Sequence, residues 1–431
     1  MSSAEVSALT SAQPSSQAMA ETPAVAPSSV YSWRLSTGWD QPILSRQDPP
    51  LAAIGFDTTV IAKTDTHPDV VADLIAEFMT DTVLRIDSDA SVDIHVVVKE
   101  DLIMVTGQVG CSHPAKSAIV HSDQFLSTLN SSIRDLLRDL GFGVTSTPPS
   151  TLQPSTPPTV GEKSPKKQPS NSSGIATPGP SEDSSNDAID PTNVHVIIAI
   201  TPCEKTALDR TTVRGTASKM ELSDLAPAAR TLVEKISASL GKASLAGGVV
   251  VELSYHNSRV EKISVGIDAA LTEQLLSGMA KDIMNNQFLG GLTALIAPET
   301  LIEIRQTERT RTTGVSSRFT GKDWAKPARH GHVIARQEAV NLVKTGACTM
   351  CEVTLTYAPS FTAEASLAVV SVNSFGSADD KQLAQQVRER LAQRSVREIK
   401  ESILKDANAT LFSLHRGGSV CNHEFVTEPQ I

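Results

Sequence analysis

One pattern, met three times along the chain, constrains its fold more than any other feature: a helix, a pair of short apolar strands around a tight polar turn, and a second helix. Pro68 to Leu84 carries apolar side chains at Val71, Leu74, Ile75 and Phe78, the stripe of an amphipathic helix. Pro68 and Asp69 suit its first turn. Then Val92, Ile94, Val96 and Val98 alternate with Asp93, His95, Val97 and Lys99. A Glu100-Asp101 turn and L-I-M-V-T-G-Q-V complete a hairpin with one buried face. Ser122 to Leu140 closes the unit as a helix. The order recurs in the middle, with a helix over Leu222 to Leu240, strands G-V-V-V-E-L-S-Y and V-E-K-I-S-V-G-I, and a helix over Leu271 to Met284. It recurs again as a helix over Val333 to Lys344, strands C-E-V-T-L-T-Y and A-S-L-A-V-V-S-V, and a long helix over Asp380 to Leu404. An extra strand is expected over Val194 to Ile200. The pattern predicts an α+β fold of three pseudo-repeated helix/hairpin/helix units, helices on one side, sharing a core.

Two stretches break the pattern. Residues 1–50, rich in Ser, Ala and Pro, read as a disordered leader. From Thr145 to Ser185, 25 of 41 residues are Ser, Thr or Pro and none is aromatic, so burial cannot offset the entropy of ordering. Residues 143–191 therefore read as a disordered linker or insertion, in which K-S-P-K-K (Lys163 to Lys167) is either a solvated stretch or a modification patch. This divides the folded part into units at 51–142, 192–298 and 299–431.

The net charge of −10 argues against non-specific binding to nucleic acid or anionic membrane, because phosphate attraction needs a basic surface. Ten Phe, three Trp and three Tyr supply no platform for stacking bases. No run approaches the roughly 20 apolar residues of a membrane span, and the N-terminus lacks a secretory signal pattern, so a cytoplasmic location is expected. Five cysteines form no disulfide framework. Cys348 and Cys351, a lone C-T-M-C, read as buried packing.

Walker, Rossmann, nucleophile-elbow and H-E-x-x-H motifs are absent. The tract Arg305 to Gly314 is basic and is either a solvated loop or an anion contact. Two short motifs carry more chemistry. T-H-P-D (Thr66 to Asp69) places a His, a helix N-terminus and a carboxylate within four residues. Free N–H groups and the helix dipole favour an anion there, a carboxylate can hold its metal, and the His can donate to developing charge. A plain helix cap is the other reading of His67. F-T-G-K-D-W-A-K-P-A-R (Phe319 to Arg329) puts Lys322, Lys326 and Arg329 beside Asp323, a set that suits polyphosphate.

Together these motifs resemble the S-adenosylmethionine synthetase (methionine adenosyltransferase) family. That family has G-H-P-D-K followed by A-D-x-I-x-D-x-x-L, a strand pair ending in G-E, and a late S-G-K-D-x-x-K-x-D-R. Here they read T-H-P-D-V, A-D-L-I-A-E-F-M-T-D, Gly107-Gln108 and T-G-K-D-W-A-K-P-A-R. The resemblance covers most of 54–142 and 194–415. It implies adenosyl transfer from ATP to the sulfur of L-methionine or a related thioether, with release of tripolyphosphate. It implies His67 and Lys322 as catalytic residues, Asp323, Lys326 and Arg329 at the substrate phosphates, and Asp69 as a Mg²⁺ ligand. K⁺ is a further family cofactor. Family sites lie between two subunits, which implies a homodimer or a hetero-oligomer with a complete synthetase.

Several family positions are replaced. The Lys after H-P-D is Val70, a cation-site Glu of the first hairpin is His95, the Glu of G-E is Gln108, and the Asp before the final Arg is Ala328. No G-D-Q-G segment is present. Loss of one preorganised electrostatic group costs about 3–4 kcal/mol of transition-state stabilisation, roughly 10²–10³ in rate. Two expectations stand side by side: an adenosyltransferase of reduced or altered activity, and a catalytically inactive homologue acting as a regulatory or scaffolding subunit.

Overall fold

A computed structural model describes residues 30–34, 58–99, 101–142, 191–203, 210–240, 248–256, 259–267, 278–279, 283, 295–306, 313–359, 366–403 and 410–416. In chain order its elements are β1 (Val30–Arg34), β2 (Thr58–Lys63), α1 (Pro68–Ile86), β3 (Ser91–Lys99), β4 (Leu102–Gly110), α2 (Pro114–Val120), α3 (Asp123–Asp139), β5 (His195–Pro202), β6 (Thr211–Ser218), α4 (Ala226–Leu240), β7 (Val249–His256), β8 (Arg259–Ile267), β9 (Ile296–Gln306), β10 (Thr313–Val315), α5 (Pro327–Lys344), β11 (Met350–Tyr357), β12 (Leu367–Asn373), α6 (Asp380–Ala392), α7 (Val396–Ile403) and α8 (Leu411–Arg416).

The three expected hairpins are β3/β4, β7/β8 and β11/β12, each antiparallel and each in a sheet of its own. The sheets run β10-β3-β4-β5, β1-β9-β8-β7-β2 and β12-β11-β6. Each hairpin takes an edge strand from elsewhere in the chain. β2, which leads into α1, pairs with β7; β6, before α4, pairs with β11; β10, before α5, pairs with β3. The exchange is cyclic, so the three units interlock.

Alternation builds the cores. Val92, Ile94, Val96 and Val98 of β3 are buried against Ile75, Met79 and Val83 of α1 and Leu129, Ile133 and Leu137 of α3. Fully burying an aliphatic side chain contributes about 1.5–3 kcal/mol. Val251, Leu253, Ile263 and Val265 pack with Leu232 and Ile236 of α4. Val353 and Leu355 pack with Ala339 and Val340 of α5. Cys348 and Cys351 are buried there, as free thiols in the apolar packing expected of them.

Some elements depart from expectation. Val30–Arg34, assigned to the leader, is a strand pairing antiparallel with β9. Its pairing supplies an order that five residues of V-Y-S-W-R do not announce. The helix expected over Asp380 to Leu404 is two helices, α6 and α7, because Ser395 and Glu398 form a capping box: Glu398 N–H donates to Ser395 Oγ (3.2 Å) and Ser395 N–H to Glu398 Oε2 (2.7 Å). The helix over Leu222 to Leu240 begins with a π-helical turn, Glu221–Leu225. Of the helix expected over Leu271 to Met284, Gly278, Met279 and Ile283 are helical and the remainder lies outside the described residues. Most of the leader and of the Ser/Thr/Pro segment lies outside them too.

Candidate functional site

The first candidate motif sits where β2 enters α1. His67 is the N-cap residue: its Nδ1 accepts from Asp69 N–H at 3.2 Å, and Pro68 occupies the first turn. Because Nδ1 accepts, Nε2 carries the ring proton. Lys63 Nζ donates to Asp69 Oδ2 at 2.6 Å, and Val315 N–H donates to Asp69 Oδ1 at 3.4 Å. Burial and the Lys63 charge outweigh Asp69 and bring the His67 pKa down to about 4, so its ring is neutral at pH 7. Partial burial works to raise the Asp69 carboxyl, but the hydrogen bond and charge of Lys63, with smaller help from His67 and the Val315 N–H, hold it below its ordinary value. Gly314 of β10 lies so close that a Cβ there would fall 2.1 Å from the Pro68 carbonyl, which explains a glycine in so short a strand.

The second motif is stitched onto β3. Ser316 N–H donates to Val96 O (2.8 Å), and Val96 N–H to Ser316 Oγ (2.9 Å). Gly321, at φ +69°, turns the chain where a Cβ would lie 2.1 Å from Ile94 O, and its carbonyl accepts from Ile94 N–H at 2.8 Å. That turn delivers Lys322 to Asp93: Nζ to Oδ1 is 2.6 Å. Lys326 Nζ lies 3.6 Å from Asp93 Oδ2, and His95 Nε2 lies 3.2 Å from Oδ1. Two ammonium groups therefore converge on one carboxylate. The lysine side chains are 8% and 15% exposed, that of Asp93 36%. Partial burial works against ionisation of Asp93, but the hydrogen bond and charge of Lys322, then Lys326 and His95, keep its pKa below the ordinary value.

Asp323 and Arg329, expected at the phosphates, face elsewhere. Asp323 Oδ2 accepts from Val92 N–H at 2.7 Å and Oδ1 from Ala325 N–H at 2.9 Å, so both oxygens serve the backbone. Burial raises its pKa despite those bonds. Arg329 is 2% exposed and pairs with Glu77 inside the protein, its guanidinium 5.9 Å from the Trp324 ring centre. It stands in the first turn of α5, on the side turned to α1. Both residues position the loop and leave Lys322 and Lys326 as the motif's cations at Asp93.

What holds this loop against α1 is a stripe of acids four residues apart. Asp69 takes the Val315 N–H. Asp73 Oδ1 takes the Ser317 N–H (2.5 Å) and the Thr320 hydroxyl (2.6 Å). Glu77 takes Arg329, and Asp81 caps α8 through Leu411 N–H (3.1 Å) and Phe412 N–H (2.8 Å). Spacing of four keeps these carboxylates on one helix face.

The two motif clusters lie on the β10 side of β3, at the positions where Val315 meets Val97 and Lys322 meets Asp93. Four residues of strand separate them, about 13 Å. On the solvent face of the same sheet, Val315, Val97, Met104 and Ile197 form a row across all four strands. Val315 is 53% and Ile197 50% exposed.

The residues present do not fit a resident metal. Asp69 already serves Lys63 and Val315, and the family's strand glutamate is here His95, beside two ammonium groups. Among the described residues no group of three His, Cys, Asp or Glu side chains is placed to hold a metal ion. Sequence reasoning missed Asp93 and Lys63. Asp93 was legible only as a charge on the polar face of a strand, and Lys63 belongs to a strand without periodic signal.

Residues 307–412 match the family profile of the S-adenosylmethionine synthetase C-terminal domain. Among solved structures, the fold is similar to that of an S-adenosylmethionine synthetase from Campylobacter jejuni, described as unusual. The TM-score is 0.61 and the identity 19%, covering 85% of this chain and 96% of that one. No curated protein sequence matches the chain.

Proposed function

We propose that this chain, a divergent S-adenosylmethionine synthetase-like protein carrying the family's C-terminal domain at residues 307–412, binds ATP through its triphosphate and transfers the adenosyl group, in reduced or altered form, to methionine or a related thioether. The observation that carries the reading is the pair of largely buried ammonium groups, Lys322 and Lys326, preset around a single anionic group. In such a transfer the sulfur attacks C5′ of the nucleoside and tripolyphosphate departs. The protein's work is to hold the pair in line and neutralise the leaving group. Lys322 and Lys326 supply charge, and the Nε2–H of neutral His67 supplies a hydrogen bond. Asp323, Arg329 and the acid stripe of α1 position the loop. Mg²⁺ arrives in this reading with the nucleotide.

Because His67 and Lys322 lie apart within one chain, the reading places the complete site between two copies, related by a two-fold axis through the row of Val315, Val97, Met104 and Ile197. Replacing Met104 and Ile197 with Glu is expected to yield monomers by sedimentation. An unchanged oligomer size would remove this face from the interface. No helix among the described residues is long and apolar enough to cross a membrane, and the proposal sets the protein in the cytoplasm.

The test is incubation with ATP, Mg²⁺, K⁺ and methionine, with product detection by mass spectrometry. Slow formation of S-adenosylmethionine and triphosphate is expected, falling by roughly 10²–10³ in Lys322→Ala. Folded protein that neither turns over a panel of thioethers nor binds ATP saturably would overturn the reading. A second reading, an inactive subunit of a complete synthetase, is favoured by Asp93, which already occupies both lysines, and by His95 and Gln108 at family glutamate positions. Co-purification with a synthetase, in the absence of turnover, would select it.

A further inference from the structure

We propose that Asp93 is a built-in competitor for the anion seat: its carboxylate occupies the position between Lys322 and Lys326 that a phosphate group takes, and ligand must displace it. The inference rests on the proposed reading of those lysines as phosphate-binding. Three observations support it. Among the described residues, Asp93 is the one carboxylate paired with both ammonium groups, at 2.6 and 3.6 Å. At 36% side-chain exposure against 8% and 15%, it is the most exposed of the three. It also has somewhere to go. His95, two residues along the same face of β3, already holds Oδ1 at 3.2 Å and stays as its partner when ligand takes over the ammonium groups.

The consequence concerns affinity and discrimination. A ligand with one negative charge gains little by exchanging for a carboxylate that is already tethered, whereas a polyphosphate spreads several charges over both lysines and wins the exchange. Asp93 thus sets a threshold of charge density below which anions are excluded.

Calorimetric titration with inorganic tripolyphosphate tests this on the full-length protein. Asp93→Asn removes the charge and keeps an oxygen for Lys322 Nζ, and Asp93→Ser is a second variant that keeps neither length nor charge. Tripolyphosphate is expected to bind at least tenfold tighter to either variant than to the parent, and monophosphate to become detectable. Unchanged or weaker binding in both variants, with Lys322→Ala still abolishing it, would overturn the inference and leave the seat intact. Absence of saturable binding in every variant, or indifference to Lys322→Ala, would remove the seat itself and the inference with it.

Discussion

His67 works as a neutral ring: one nitrogen fastens the helix, the other carries the ring proton. Its pKa, lowered to about 4 by burial and Lys63, links it to stability, as does His330, brought to about 4 by burial despite its bond to Trp324 O (3.0 Å). A histidine depressed below 6.5 in the native state binds fewer protons there than when unfolded. Its contribution is therefore complete above pH 6.5 and is lost as pH falls toward 4. At about 1.4 kcal/mol per pH unit, the loss reaches at most roughly 3 kcal/mol per ring. Urea unfolding at pH 7.5 and 4.5 should show His330→Gln losing less stability on acidification than the parent. Equal losses would show that His330 does not titrate in this window. Comparison with the variant cancels Glu77, which works in the opposite sense: burial raises it to about 7 against the pull of Arg329, so its contribution falls as pH climbs from 4.5 to 7. Truncating either partner of that pair strands a buried charge and should cost about 3–5 kcal/mol, while joint replacement by Leu at 77 and Met at 329 should recover much of it. A drop in ligand affinity without loss of stability in Arg329→Met would instead return Arg329 to the phosphate site.

The element that organises the site is α1, whose acids at 69, 73, 77 and 81 hold the last third of the chain in place. Asp81→Ala should release α8 locally, at about 1–3 kcal/mol for two unmet N–H groups. The signature is faster amide exchange at Leu411 and Phe412 with little change in β3. Acceleration spread through the core would mean that α8 does not detach separately. This stripe was present in the sequence as regular acids inside an apolar helix, yet apolar periodicity alone drew attention to Val71 and Ile75. The first hairpin was legible because apolar residues alternate from Val92 to Val98, and the second because the apolar run from Val249 to Leu253 is rich in β-branched residues. β10 was not, since three residues of T-G-V hold no period, and its strand state comes from pairing with Val97 to Lys99. Lys322 and Lys326 were found by residue type and spacing. Asp323 and Arg329 share their motif and point inward, because orientation depends on the helix start at Pro327 and on Glu77, 252 residues away in sequence.

At the scale of the molecule, the cyclic strand exchange makes each sheet depend on another part of the chain. The described portion should therefore unfold in one transition. Circular dichroism and tryptophan fluorescence are expected to give coincident urea curves, whereas separated midpoints would show that the units melt apart. The same exchange also fixes a timetable. During synthesis the first sheet acquires its hairpin early, but β10, which covers the outer edge of β3, emerges more than two hundred residues later. Until then a strand edge stands open beside the developing core, and the nascent chain must be kept from pairing with its neighbours on the polysome. Its birth is thus governed by the arrival of three residues, Thr313 to Val315.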